Sequence, residues 1–564
     1  MTADRALALL SLYLRAGRMA EAAVVSAWLA DRLGTLNNAQ LRQFIKVAET
    51  SDQPDLMSAA IAHVETRSLI DMPLAKVVLR IAHVAENEAL AERTEDALCA
   101  RMAPALQPPF RIMAARMRKG PQAALERTLE IRTGQRSPRA AADLAQLLID
   151  NGRKQLAIRY LRLSARRWPN ALPVLTTLTQ SFIQAGLPDA GLAWLDSHRG
   201  AKNVQALEDL RMKLLLALGR PEEVVALIEA GIAAGQRPPD DTTLLQLFCV
   251  LNRLEDAERT ATAIQTNPRH ASRKRAHFGT TLFGARLNEL RLYRISLQHQ
   301  AEPHPGPDLA ASNFQAANDV LNMWDTQKAG SGEHTAPHVT PRHIFQYWNT
   351  AKVPDAIHGV MQTWADAPGW RYERFDRARA IAWLTEAYDA AHARAFEVAR
   401  HVAEESDFLR LCVLYRQGGI YADADDMLTG HPDDIVAKGP GLIVFREPFG
   451  ALANNLICAP PGHPAIGQAI TMAKAALIGR DNDSTWSKTG PGLLTRAVAW
   501  HMLAHPQDAR RDTTMLPQSH MFLHTLPHVK LPYKTTASYW HTGTFRTTGR
   551  VVSALQTLAH TAHN

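Results

Sequence analysis

The sequence has few cysteines, few aromatic residues and no long apolar run. Its 564 residues include four cysteines, and aromatic residues make up 6% of the composition. The cysteines show neither C-x-x-C spacing nor a regular framework: Cys99, Cys249, Cys412 and Cys458. This spacing indicates neither a disulfide scaffold nor a cysteine zinc site, and it favours a reducing cytoplasm. Because no stretch of about 18 apolar residues is free of charge, we expect no membrane-spanning helix.

Concentrated charge is also missing. The formal net charge is +8, but the 63 basic residues are spread among 55 acidic ones. No basic block is interleaved with aromatic residues, so we interpret the positive excess as solvated helix faces and expect no nucleic-acid partner. The N-terminal segment carries Asp4 and Arg5 and lacks a convincing cleavage site, which predicts a first helix and not a signal peptide. The length predicts two or more domains.

Turn residues recur through the first half of the chain. Turn formers that precede a helical pattern are spaced 32 to 35 residues apart, at Gly17, Asp52, Glu86, Gly120, Gly152, Gly186, Gly219 and Asn252. Pro169 and Pro268 fall where a second helix must end. The period is that of tetratricopeptide repeats, and residues 1–290 resemble them. Such a solenoid would be a scaffold, a self-association module, or a holder of a protein partner or glycan acceptor.

The composition changes after the repeats. Residues 291–340 are rich in Pro, Gly and His around one short helical pattern, and we predict a linker there. From residue 341 onward short apolar runs alternate with helical patterns, which predicts an α/β domain over residues 341–564.

The densest pattern of functional residue types runs from Ser406 to Asp426. Apolar residues recur at helical spacing up to Arg416, and Gly418 and Gly419 then end the helix because the chain must turn. A short strand at 420–422 would deliver the following carboxylates to a sheet edge, where ligands bind in open α/β sheets.

Three carboxylates stand within four positions, at Asp423, Asp425 and Asp426. Such a cluster repels itself unless a cation neutralises it, and Mn²⁺ or Mg²⁺ prefers carboxylate and phosphate oxygens. Alternation in an extended segment places Asp423 and Asp425 on one side, whereas Asp426 points elsewhere or begins the next turn. An isolated D-x-D would more often be a solvated turn.

The whole string resembles the S-D-x-x-R-x-x-x-L-x-x-x-G-G-x-Y-x-D-x-D block of glycosyltransferase family 32. Every fixed position of this block is filled, by Ser406, Asp407, Arg410, Leu414, Gly418, Gly419, Tyr421, Asp423 and Asp425. Shorter similarities follow in order over roughly residues 340–550: the opening strand Pro341–Trp348, the pair Asn454-Asn455 before Pro461–Pro464, and the turn Thr489–Pro491.

The resemblance implies a GT-A (Rossmann-like) glycosyltransferase domain. It implies catalytic roles for Asp407, Arg410, Asp423 and Asp425. It implies that the nucleotide-sugar donor, a UDP- or GDP-sugar, is bound by Trp348, Asp407, Arg410, Tyr421, Asp423, Asn454, Asn455 and Gly490. Asp423 and Asp425 would hold Mn²⁺ or Mg²⁺, with a third ligand near the C-terminus, for which His541 is the candidate.

The function implied is sugar transfer to a glycan, lipid-linked or protein acceptor, with retention of anomeric configuration, in surface polysaccharide or capsule synthesis. We expect a cytoplasmic enzyme, peripheral at the inner face of a membrane. Two alternatives stay open. One is a repeat scaffold that binds glycans without turnover. The other is a phosphatase of the haloacid dehalogenase type, although Met427 stands where that motif has Thr or Val.

Overall fold

The computed structural model describes residues 1–50, 54–84, 88–131, 137–198, 204–235, 241–267, 278–298, 304–328 and 340–531. Within these ranges the chain forms two compact units, one containing residues 1–151 and the other residues 152–529. No described helix combines the length and the apolar character that a membrane span requires. All four cysteines are buried and unbridged.

All the regular secondary structure described in the first unit is helical. Its α-helices are Ala3–Arg15, Met19–Ala30, Asn38–Thr50, Pro54–Thr66, Met72–Val84, Glu88–Ala100, Gln107–Lys119, Pro121–Ile131 and Pro138–Asp150. Short 3₁₀ turns cover Leu33–Thr35 and Pro104–Leu106.

The second unit begins with further helices before its strands. They are Lys154–Arg167, Leu172–Gln184, Pro188–Ser197, Val204–Ala217, Pro221–Ala233, Asp241–Val250, Leu254–Thr266, Leu282–Gln298, Pro307–Ser312 and Phe314–Lys328, with a 3₁₀ turn at Phe278–Thr280. After the first strand come Asp355–Ala365, Arg377–Ala387, Ala390–Glu397, Val402–Gln417, Pro432–Val436, Pro464–Ile478, Thr485–Lys488, Pro491–Ala504, Pro506–Asp512 and Gln518–His524.

The predicted repeat turns lie between paired helices. Each turn former that is described has a left-handed backbone, with φ between 56° and 92°: Gly17, Gly120, Gly152, Gly186, Gly219 and Asn252. Glycine and asparagine tolerate this region best, which explains their recurrence. The small residue five positions later is buried in hairpins such as those of Ala22, Ala157 and Ala257. Asp52, Glu86 and Pro268 lie outside the described residues.

The second unit holds a six-stranded sheet. Its strands are β1 (His343–Tyr347), β2 (Arg371–Phe375), β3 (Gly419–Ala422), β5 (Leu442–Arg446), β6 (Leu452–Ala459) and β7 (Thr513–Pro517), in the spatial order β2-β1-β3-β6-β5-β7. Strand β6 runs antiparallel to both of its neighbours, and the other pairs are parallel. A separate two-stranded ribbon pairs β4 (Met427–Leu428) with β8 (Thr525–Leu526).

Side chains alternate between the two faces of this sheet. Phe345 and Tyr421 lie in one apolar cluster with the helices Val402–Gln417, Pro464–Ile478 and Pro491–Ala504. Ile344 and Ile420 lie in another, with Trp364. Strands β3 and β5 are buried on both faces and are almost continuously apolar, whereas the edge strand β2 is polar and partly exposed. The helical region followed by an α/β domain is therefore the predicted fold class.

The segment predicted as a linker, 291–340, is largely helical where it is described. Ala317, Leu321 and Trp324 of the helix Phe314–Lys328 are buried in the same apolar cluster as Phe345. The boundary predicted near residue 290 does not coincide with a division between compact units. The reason is packing: Arg286 donates a hydrogen bond to the carbonyl of Phe449 at 3.1 Å, next to the β5–β6 turn. The polar composition around residues 299–340 gave no indication that the helix Phe314–Lys328 has a buried apolar face.

Candidate active site

The helix Val402–Gln417 and strand β3 bring the predicted residues together. His401 caps the helix through its side chain, and the helix ends at Gly418, whose φ is 65°. Gly419, with φ 111°, follows because an added Cβ would lie 2.2 Å from the carbonyl oxygen of His343. This tight passage between helix and strand fixes where Asp423 leaves the sheet.

Arg410 lies at the centre of a polar network. Its Nη2 is 3.0 Å from Oδ1 of Asp407 and 3.1 Å from Oδ1 of Asp423. The guanidinium also donates to the carbonyl oxygens of Ser406 and Asn454, and it lies 4.2 Å from the centre of the Tyr421 ring. Since the side chain is 4% exposed, it acts from within the protein as a cation that orients two carboxylates.

Asp407 is held from three sides. Oδ1 accepts a hydrogen bond from Nδ2 of Asn454 at 2.9 Å, and Oδ2 accepts one from Oγ1 of Thr489 at 2.9 Å, in addition to the ion pair with Arg410. Burial nevertheless raises the pKa of Asp407 to about 6, although Arg410 and Thr489 oppose the shift. The carboxylate is thus fixed in place and costly to ionise.

Tyr421 and Ser406 complete this network. The Tyr421 hydroxyl donates to Oδ1 of Asp423 at 2.5 Å and shares a hydrogen bond of 2.7 Å with Oγ of Ser406. Burial raises the pKa of Tyr421 well above its usual value, so the phenol remains a donor. The Asp423 side chain is 25% exposed, which leaves part of its carboxylate open to a ligand.

The other two carboxylates of the triplet lie on a second side of the site. Asp425, Asp426 and His528 each offer a ligand atom, and these atoms lie within 4.8 Å of one another. Burial, reinforced by Asp425 and Asp423, raises the pKa of Asp426 to about 7 although His528 opposes the shift. Two carboxylate oxygens and one imidazole nitrogen suit Mn²⁺ well, so the residues present fit a divalent cation.

The backbone holds this cluster in an unusual conformation. His528 has φ 52°, and its N–H donates to Oδ1 of Asp426 at 2.8 Å. The N–H of Val529 donates to the carbonyl of Asp425 at 2.9 Å. Left-handed backbone at a non-glycine residue costs free energy and concentrates at functional sites. The turn after β8 therefore holds His528 against the acidic triplet.

A second group of metal-ligand types does not fit a metal. His463, His501 and Asp512 are buried with ligand atoms within 4.8 Å. Nδ1 of His463 accepts from the N–H of Ala465 at 3.3 Å, so its Nε2 carries the proton that points toward the Asp512 carbonyl. His501 Nε2 lies 3.0 Å from Asp512 Oδ1. These contacts form a structural hydrogen-bond network.

Residues 344–440 match a family described as "Glycosyltransferase sugar-binding region containing DXD motif". The matched segment contains the helix, the glycine turn, strand β3 and the acidic triplet. This segment therefore carries the DXD-containing sugar-binding region found in glycosyltransferases.

Two curated relatives come from Schizosaccharomyces pombe. Inositol phosphoceramide mannosyltransferase 1 is 25% identical over 134 residues, which is 23% of this chain and 41% of that protein. Inositol phosphoceramide mannosyltransferase 2 is 28% identical over 184 residues, 31% of this chain and 46% of that protein. The chain therefore spans less than half the length of either relative.

Two solved structures are similar at a lower level. The glycosyltransferase PaToxG covers 40% of this chain and 94% of its own, with 16% identity and a TM-score of 0.26. The pentatricopeptide repeat protein PPR10 from maize covers 74% of this chain and 62% of its own, with 14% identity and a TM-score of 0.25.

The other residues predicted to bind the donor or the metal differ in their contacts with the Arg410 network. Asn454 contacts Asp407, whereas Asn455 donates to Asp426. Gly490 is the residue after Thr489 and precedes the helix Pro491–Ala504. Trp348 follows β1, and its Nε1 donates to Thr350 at 3.1 Å, so stacking on a base stays a prediction. His541 lies outside the described residues.

Several residues of the site could not be predicted from the sequence. His528 is one of 23 histidines and belongs to no motif, so only the fold brings it to the triplet. Asp426, predicted to point away, instead lies in the cluster with Asp425. Trp364 donates to the carbonyl of Asp426 at 2.7 Å, and Gln346 to that of Asp423 at 3.0 Å. The adjacency of Asp426 to the D-x-D was the one available signal.

Proposed function

We propose that the protein transfers a sugar from a nucleotide-sugar donor to a glycan or lipid-linked acceptor in a reaction that requires a divalent cation. The observation that carries this proposal is the position of Asp425, Asp426 and His528 next to the Arg410 network, at the carboxyl end of β3. A cation bound there would neutralise the diphosphate as it leaves.

The protein's own residues have distinct proposed tasks. Asp425 and Asp426 would hold the cation together with His528. Asp423, partly exposed and fixed by Arg410 and Tyr421, would accept hydrogen bonds from sugar or ribose hydroxyls. Asp407 would present its carboxylate to the donor sugar, with Asn454 and Thr489 preventing its rotation. Prior fixation of such groups lowers the reorganisation needed in the transition state.

The stereochemistry, the cation, the sugar, the acceptor and the cellular location are proposals as well. The resemblance to family 32 supports retention of configuration, and Mn²⁺ suits the mixed oxygen and nitrogen ligands better than Mg²⁺. The names of the two fungal relatives favour mannose as the sugar and an inositol phosphoceramide-like lipid as the acceptor, ahead of capsule, another surface polysaccharide or a protein. Four unbridged cysteines are compatible with a cytoplasmic location, peripheral to a membrane.

The test is hydrolysis of a panel of UDP- and GDP-sugars by the full chain, with and without Mn²⁺. We expect release of nucleoside diphosphate from one donor, loss with chelator, and loss in Asp425→Asn. Asp508→Asn, on the exposed first turn of Pro506–Asp512, is the matched control. No release from any donor would favour a glycan-binding scaffold. Phosphate release from simple esters would favour a phosphatase. An inverted product anomer by NMR would remove the retaining mechanism.

A further inference from the structure

The helix Lys154–Arg167 presents an unusual face to solvent. Its exposed side chains include Leu156 and Leu163, at 50% and 63% exposure. Five exposed arginines accompany them: Arg153, Arg159, Arg162, Arg166 and Arg167. We call these seven residues the arginine-leucine stripe. Because 3.6 residues complete one turn, the leucines fall at its centre, with arginines on both sides.

No acidic residue accompanies this charge. Between Asp150 and Asp189 the sequence contains neither Asp nor Glu. None of the five arginines forms an ion pair with a described residue, although Arg167 lies over the ring of Trp168 at 4.7 Å. The stripe is therefore an uncompensated cationic surface.

Other hairpins of the chain neutralise the equivalent arginine. An arginine follows the turn residue in four hairpins, and in three of them it pairs with an acidic residue three positions later: Arg18 with Glu21, Arg220 with Glu223, and Arg253 with Asp256. In the fourth hairpin, Arg153 is followed at that position by the exposed Leu156. An ordinary solvated repeat face does not require this exchange of a carboxylate for an apolar side chain.

Exposed leucines flanked by arginines suit a surface that combines apolar chains with phosphates. Arginine binds phosphate oxygens with its planar fork, and leucine gains free energy by leaving water. A nucleic acid would match the charge but offers no apolar layer for Leu156 and Leu163, and Trp168 is already covered by Arg167. We propose that the arginine-leucine stripe docks the protein on a membrane surface rich in anionic phospholipids.

The stripe is attached to the candidate active site through its own helix. At the first turn, the buried Lys154 donates to Oγ1 of Thr429 at 3.1 Å and to the carbonyls of Phe522 and Thr525 at 2.7 Å and 2.6 Å. Thr429 follows β4, and Thr525 begins β8, the ribbon between the acidic triplet and His528. Docking would thus hold the site beside a bilayer. Only this placement of the active site beside a bilayer depends on the proposed function, and docking by the arginine-leucine stripe does not.

The experiment is vesicle co-sedimentation of the full chain. Vesicles of phosphatidylcholine are compared with vesicles that contain about 30 mol% phosphatidylglycerol, at low salt and at about 0.5 M NaCl. We expect binding at least about tenfold tighter to the anionic vesicles, lost at high salt. Leu156→Glu places a carboxylate where the other three hairpins have one. It should weaken binding about tenfold, because the added negative charge alone accounts for about fivefold and the apolar leucine is lost as well.

Ile232→Glu is the matched control, because Ile232 is 49% exposed on the helix Pro221–Ala233. It should bind like the wild-type protein. Donor hydrolysis without vesicles should be unchanged in both variants, which separates docking from catalysis. Four results would overturn the proposal: equal binding to neutral and anionic vesicles, no binding to either, equal loss of binding in Ile232→Glu, or binding to a short RNA in place of vesicles.

Discussion

Asp407→Asn should make the protein more stable and less active. Burial raises the pKa of Asp407 to about 6 in the folded protein, from a usual value of 3.8. A carboxyl whose folded pKa is raised contributes stability that is fully present below pH 3.8 and is lost as the pH rises through 6. The difference corresponds to about 3 kcal/mol at neutral pH. Asparagine keeps the shape without the charge.

The size of the effect follows from the contacts. The variant removes the desolvation cost of the carboxylate but weakens its ion pair with Arg410, which retains Asp423. Near pH 7.5 we expect the second unit to melt up to about 5 °C higher than in the wild-type protein, and the gap should close near pH 4. Nucleotide-sugar hydrolysis should fall about 100-fold or more.

The assay is thermal unfolding by circular dichroism across this pH range, with hydrolysis measured on the same samples. A variant that melts lower than the wild-type protein at pH 7.5, by an amount that does not change at pH 4, would contradict this prediction. The ion pair with Arg410 would then outweigh the cost of burial.

Three further predictions use other contacts. Arg410→Met leaves Asp407 and Asp423 without their cation and should lower the free energy of unfolding by about 3–5 kcal/mol in urea titrations; an unchanged midpoint would contradict this. Gly419→Ala, whose Cβ would meet His343, should cost about 3 kcal/mol or more, whereas Gly235→Ala, which also has positive φ but open space around it, should cost about 1 kcal/mol. Lys154→Met should weaken Mn²⁺ binding about tenfold in calorimetry by loosening the β4–β8 ribbon, while Arg159→Met should not.

Local patterns predicted much of this fold. The end of the helix at Gly418 and Gly419 and the strand that follows could be predicted because both depend on neighbours in sequence. The same holds for the hairpin turns, where a left-handed residue recurs at a fixed period. The pairing of Asp407 with Arg410 also follows from their spacing on one helix.

What could not be predicted depends on distant contacts. The segment before β1 was interpreted as a linker because its polar residues dominate, yet Trp324 packs into the sheet core. His528 reaches Asp426 only because β4 pairs with β8 across about 100 residues of chain. The repeat helix that begins at Lys154 contacts the same ribbon, so residues 152–290 group with the sheet and not with the helices before them.

The most direct test of the account is Mn²⁺ binding, followed by electron paramagnetic resonance on the full chain. We expect one Mn²⁺ per chain at the Asp425, Asp426 and His528 cluster, bound more tightly when GDP or UDP is added. Binding should be lost in Asp425→Asn, weakened in His528→Ala and unchanged in Asp508→Asn. Mn²⁺ binding that is equal in the wild-type protein and in Asp425→Asn, with no response to either nucleotide, would contradict it.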